Sequence, residues 1–221
     1  MSTINKNDPI KRVAEKLAQD EGMSPMSPPD YKDAPAKPAE IPFDELPVSI
    51  QKLVKEHQEV LEQINSFENA MQEFRSSNYH YTPELSKQFS KFFEYMDKHI
   101  LPHHEKEEKF LFPILEKYLI KSGEHSKYMS SGNYETSVDL MEDDHLKFLQ
   151  VASVVFNLLG IYVRIPDPTS RDIIADIVYS KSIEMIELLK THIYQEDTII
   201  FPQCAKFFSS EEISFINSKI K

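Results

Sequence analysis

The feature that most constrains this chain is an internal repeat. The segment HHEKEEKFLFP, which begins at His103, aligns without gaps with the segment HIYQEDTIIFP, which begins at His192. Both contain a histidine, a glutamate four residues later, and Phe-Pro at nine and ten residues after the histidine. Residues i and i+4 lie one turn apart on the same face of a helix. The repeat therefore predicts two helices that each present an imidazole and a carboxylate together.

A further histidine precedes each repeat at nearly the same distance. Glu56-His57 lies upstream of the first repeat and Asp144-His145 upstream of the second, and the His-to-His separations are 46 and 47 residues. The chain thus reads as two copies of a helical hairpin. Each copy gives one histidine from its first helix and a His-x-x-x-Glu pair from its second.

Apolar residues recur every three or four positions from Ser49 onward, which predicts four long amphipathic helices. Two of them begin at cap-proline pairs, Thr82-Pro83 and Asp167-Pro168. The predicted core stripes of the second and fourth helices continue beyond their glutamates to Ile114 and Ile199. The fold class is therefore all-α, an up-down four-helix bundle.

Proline content divides the chain. Eight of the 14 prolines lie in the first 47 residues, so we expect residues 1–45 to be an irregular tail or linker, with a short amphipathic helix at 10–20. Residues 46–205 form the predicted bundle. A Ser-x-x-Glu capping box at Ser209 predicts a short closing helix within 206–221, packed on the bundle.

Composition narrows the class of protein. A net charge of −11 argues against a nucleic-acid binder. A single cysteine, Cys204, excludes an intramolecular disulfide and a thiolate-cluster metal site. The N-terminus has no apolar signal region, and the apolar stretch 151–163 is shorter than a membrane span. These features favour a cytoplasmic protein that binds no membrane.

Polar residues interrupt all four apolar stripes. A carboxylate in a bundle core is costly unless a partner compensates its charge, and six imidazole and carboxylate groups converging on one interior need a shared cation. The two-fold repeat predicts two metal ions, each bound by two histidines, with two bridging glutamates. Such ligands suit iron, with manganese and zinc as alternatives.

With these motifs, the chain resembles the hemerythrin-like proteins, also called HHE cation-binding domains, over roughly residues 46–205. Within that family it is most similar to bacterial iron–sulfur cluster repair proteins. The resemblance implies a bundle around two non-haem iron ions, and it carries over six ligands: His57, His103, Glu107, His145, His192 and Glu196.

The family also implies the chemistry. The expected ligand is a small diatomic molecule or peroxide, bound or reduced in sensing or a stress response; the alternative is donation of iron to damaged iron–sulfur clusters. Either role implies an electron donor or an iron–sulfur protein as a partner. Both roles are compatible with an oligomeric protein. The sequence leaves open whether the protein is an enzyme.

Four residues beside the predicted ligands are alternative candidates for metal ligands. His99 and His104 have no counterpart in the repeat, so we interpret both as flanking or surface residues. Glu108 and Asp197 follow the two glutamates at matching positions. We interpret these carboxylates as solvated or as partners of the ligands, with Asp197 the stronger rival as a ligand.

Overall fold

The computed structural model describes residues 41–123 and 136–220, and the helices below lie within them. The predictions for 1–40 lie outside the described residues. After a single 3-10 turn at Phe43–Glu45, four long helices and a short fifth make up this part of the chain, which confirms the all-α bundle and the short C-terminal helix. In chain order they are α1 (Val48–Ser76), α2 (83–121), α3 (Ser137–Tyr162), α4 (168–207) and α5 (Ser210–Lys219).

Side-chain caps set the helix starts that the sequence predicts. The Thr82 hydroxyl accepts from the Leu85 amide at 3.2 Å, and the Asp167 carboxylate accepts from the Ser170 amide at 2.8 Å. The predicted capping box at Ser209 is present. Each cap satisfies an amide that the first helical turn leaves unpaired.

The buried apolar residues form two clusters, one on each side of a polar layer. Each of the four long helices passes from one cluster to the other at its predicted polar position; on α1, for example, His57 lies between Leu53 and Val60. The polar layer therefore lies within the core, shielded from solvent by both clusters. Helix α5 contributes Ile216 to the second cluster, and the Asn217 side chain accepts a 3.0 Å hydrogen bond from the Ser49 amide.

Three segments of wider π-helical turns interrupt α2 and α4 in the described residues: Met96–Ile100, Glu107–Leu111 and Glu196–Ile200. The α-helix resumes directly after each segment, and its second residue is a proline: Pro102, Pro113 and Pro202. A proline inside an α-helix lacks an N–H and clashes with the carbonyl four residues earlier, and a wider turn relieves that clash. The sequence predicts a kink at Pro102, and the structure accommodates this proline with the first π segment.

The π segments also correct the predicted core stripes. Ile114 and Ile199 are only half-buried, whereas Leu115 and Ile200, one residue later in each helix, are buried. A π turn holds more residues than an α turn, so it shifts the inward face by about one residue. Ile114 still packs against the edge of the second cluster, whereas the prediction for Ile199 was wrong, because it assumed an uninterrupted α period.

Helix α3 is long and apolar enough to cross a membrane by length and composition alone. All but the last residue of the apolar stretch 151–163 thus belongs to this longer helix. Its inward face includes His145 and Asp139, both buried. A helix that packs its apolar face against the core of a bundle has the same kind of composition.

Candidate metal centre

The four predicted histidines meet in the polar layer as two facing pairs. The Nε2 atoms of His57 and His103 are 2.9 Å apart, and those of His145 and His192 are 3.0 Å apart. All four side chains are buried. Each pair combines the first and second helix of one hairpin, as the repeat predicts.

The two glutamates lie between the pairs and reach both. Glu107 places Oε1 3.1 Å from His103 Nε2 and Oε2 3.6 Å from His145 Nε2. Glu196 places Oε1 3.3 Å from His192 Nε2 and Oε2 3.1 Å from His57 Nε2. Each carboxylate therefore offers one oxygen to each histidine pair, which is the arrangement of a bridging ligand.

Carboxylates also occupy the outer side of the imidazoles. The Nδ1 atom of His57 is 2.8 Å from Asp197, that of His103 is 2.8 Å from Glu56, and that of His145 is 2.8 Å from Glu108. A carboxylate accepts only, so these Nδ1 atoms donate and the Nε2 lone pairs point into the layer. Such outer partners orient metal-binding histidines and increase their basicity.

This arrangement is electrostatically incomplete without positive charge. Lone pairs of facing Nε2 atoms repel each other at these distances unless a proton or a cation lies between them. None of the four glutamate oxygens has a hydrogen bond within the described residues, although all four are buried. Two donors at right angles, each about 2.1 Å from a metal ion, would lie about 3.0 Å apart. The two Nε2–Nε2 distances fit that value.

Two sets of four buried groups can each hold one cation: His57, His103, Glu107 and Glu196 in the first, and Glu107, His145, His192 and Glu196 in the second. In each set, one donor atom per residue lies within 4.8 Å of all the others. All six predicted ligands are thus brought together, and both glutamates belong to both sets.

A family model for the hemerythrin HHE cation-binding domain matches residues 48–204. The chain belongs to this family. Searches of curated proteins and of solved structures give no match. An HHE domain binds cations, and the matched region contains all six predicted ligands.

Protons take the place of cations in the metal-free HHE domain. Burial lowers the pKa of His57, but Asp197 and Glu196 outweigh it and raise that pKa to about 10. Burial also lowers the pKa of His192, but the Glu196 carboxylate outweighs burial and raises that pKa to about 10. The pKa of His103 rises to about 9, because Glu107 overcomes the effect of burial. One proton can lie between the two Nε2 atoms of a facing pair, so protons offset part of the buried negative charge and a metal must displace them.

The rivals of the predicted ligands have distinct positions in the HHE domain. Asp197 and Glu108 bind the outer nitrogens of His57 and His145, as expected of partners of the ligands. His99 is exposed and stacks on Tyr95 at a centroid distance of 4.5 Å. These three residues lie outside both cation sets.

His104 corrects the sequence interpretation. It was interpreted as a flanking or surface residue, but only 6% of it is exposed and it lies beside the predicted ligands. Its ring stacks on that of His145 at 3.7 Å with an interplanar angle of 8° and meets the His192 ring edge-on at 5.6 Å. A third cluster of possible donors consists of His104, His145 and His192. The repeat gave no indication that His104 belongs to the site, because the equivalent position in the second copy is Ile193.

Proposed function

We propose that this HHE domain holds two iron ions in the polar layer and that the pair binds or reacts with oxygen, nitric oxide or peroxide in sensing or a stress response. His57 and His103 would bind one ion, His145 and His192 the other, and Glu107 and Glu196 would bridge them. Iron would supply a change of oxidation state and affinity for small ligands. The observation that carries the proposal is the contact of each glutamate with both histidine pairs.

The number of donors supports small-ligand chemistry over a structural role. Each ion would receive two imidazole nitrogens and two carboxylate oxygens from the protein. An octahedral iron ion then keeps about two positions for other ligands, whereas structural sites are usually closed by the protein. The two apolar clusters around the layer exclude bulk water, which favours small neutral molecules.

Access to the layer supports the same class of ligand. A surface groove of about 750 Å³ lies between α2 and α3 and is lined by His104 and His145, among other residues. His145 belongs to the second cation set. Because both histidines are buried and close the bottom of the groove, only a small molecule would pass them.

Metal analysis of the full chain, with optical spectra under anaerobic conditions and after exposure to oxygen or nitric oxide, tests the proposal. We expect about two iron ions per chain and a spectrum that responds to the gas. His103→Ala should lower the iron content, whereas His99→Ala, which removes an exposed histidine one turn earlier, should not. Less than one bound metal, unchanged by His103→Ala, would contradict the proposal.

A further inference from the structure

The two halves of the polar layer are not equivalent. His104 and Ile193 occupy matching positions in the repeat, directly after a predicted ligand, and both are buried. One half therefore has an additional polar ring where the other half has an aliphatic side chain. The six predicted ligands obey the two-fold symmetry, whereas this pair of positions does not, so the surroundings of the two metal positions differ here.

His104 lies beside the second histidine pair but is not oriented as a ligand. A metal ion lies close to the plane of each imidazole that binds it. The rings of His104 and His145 are nearly parallel and stacked at 3.7 Å, so one ion cannot lie in both planes. The ring of His104 instead covers the position next to His145 and His192, at the bottom of the groove between α2 and α3.

The hydrogen-bonding capacity of His104 is unused. The His104 side chain has no hydrogen bond to a residue in 41–123 or 136–220; its ring contacts there are with His103, His145, His192 and Phe148. An imidazole has at least one N–H donor in either protonation state. His104 lines the groove between α2 and α3, and its nitrogens are not enclosed, so a donor of this ring is available to a molecule that enters the groove.

We propose that the centre binds its exogenous ligand at the His145–His192 position and that His104 donates a hydrogen bond to that ligand. The inference rests on the proposed function, because it needs a metal ion at that position. The ligand class is a small hydrogen-bond acceptor that reaches the metal through the groove between α2 and α3. Ile193 can donate no hydrogen bond, so the His57–His103 position lacks this contribution.

Azide, a small anion that accepts hydrogen bonds, is a suitable probe of the oxidised, iron-loaded full chain. We compare wild type with His104→Ile, which copies the second half of the repeat, and with His99→Ile, the same change at an exposed site. Iron content should stay at about two per chain in all three proteins. We expect His104→Ile to weaken azide binding about tenfold, the loss of one hydrogen bond, and His99→Ile to have no effect.

A spectroscopic readout separates hydrogen bonding from a merely structural role. The infrared stretch of bound azide should shift when water is replaced by D₂O in wild type and in His99→Ile, but not in His104→Ile. His104→Gln, which keeps an N–H donor, should restore part of the affinity and of the isotope shift. This variant also guards against a general packing defect of the isoleucine variant.

The outcomes are distinguishable. A wild-type chain that binds no iron pair defeats the proposed function and this inference together. Two iron ions in every variant, with unchanged azide affinity in His104→Ile, defeats the inference alone. Loss of one iron ion in His104→Ile also overturns it, because His104 would then be a metal ligand.

Discussion

Glu107 and His145 belong to different hairpins, yet the Oε2 atom of Glu107 lies 3.6 Å from Nε2 of His145. The other oxygen of Glu107 lies 3.1 Å from His103 in its own helix. One buried side chain therefore connects the two halves of the repeat. Its loss should affect both metal positions, and not only the one in its own hairpin.

Glu107→Gln tests this connection. The amide removes a buried negative charge while keeping the shape, so we expect the iron content to fall from about two to below one per chain. Glu105→Gln is the matched control, because Glu105 is exposed and pairs with Lys109 on the outside of the same helix. Metal analysis of both variants, loaded in parallel, gives the answer. Retention of two iron ions by Glu107→Gln would contradict the bridging role.

The outer carboxylates predict unequal metal affinity. Glu56 bonds the His103 Nδ1 atom at 2.8 Å, but Asp144, its counterpart in the repeat, lies 3.9 Å from the His192 Nδ1 atom, beyond hydrogen-bonding distance. Aspartate is one methylene shorter, which explains the gap. We expect the ion on the His192 side to be the weaker bound, and Asp144→Glu to strengthen it by about tenfold.

Competition with a chelator of known affinity measures both ions. The reciprocal variant, Glu56→Asp, should weaken the ion on the His103 side and leave the other unchanged. Equal stepwise affinities in wild type and in Asp144→Glu would show that the outer carboxylate contributes little.

Metal uptake should release protons and become tighter with rising pH. The pKa values of His57 and His192 are about 10 and that of His103 is about 9 in the metal-free fold, since nearby carboxylates outweigh burial. At neutral pH these imidazoles hold the protons that a metal must displace. Apparent affinity should therefore rise between pH 6.5 and about 9.5. Chelator competition at several pH values checks this, and an affinity independent of pH in that range would refute it.

The metal-free protein should lose stability as the pH rises. The folded pKa values of His57, His103 and His192 lie above the ordinary histidine pKa of about 6.5. Stability from these groups is thus fully present below about pH 6.5 and is lost as the pH rises through 9 to 10. We expect the free energy of unfolding to fall by a few kcal/mol between pH 7 and pH 10. Urea unfolding at both pH values measures it; a metal-loaded sample, in which cations replace the protons, should change less.

The fold and the six predicted ligands were accessible from the sequence because they depend on local periodicity and on the repeat. A three-to-four residue period identifies an inward face without any knowledge of neighbouring helices. The period is displaced by about one residue at Ile114 and Ile199, which lie just after and within the π segments that precede Pro113 and Pro202. Those prolines are visible in the sequence, so this signal was available.

His104 could not be placed in the same way. It lies one residue after His103 and so projects about 100° around the helix, away from the inward face that periodicity identifies. Only the packing of α3 against α2 buries it, by placing His145 against its ring. The partners of the outer carboxylates were inaccessible for a similar reason, since Glu56 bonds a histidine of the neighbouring helix and not its neighbour in sequence.

By itself, the sequence determined the helices, their caps, the duplicated hairpin and the six groups that face inward, because each depends on spacing within a single helix. The tertiary structure alone decided which imidazoles face each other, which carboxylate supports each histidine, and that one half of the layer contains a fifth buried imidazole. These relations depend on distances between helices, which are set by how the two apolar clusters pack and which no spacing along the chain specifies.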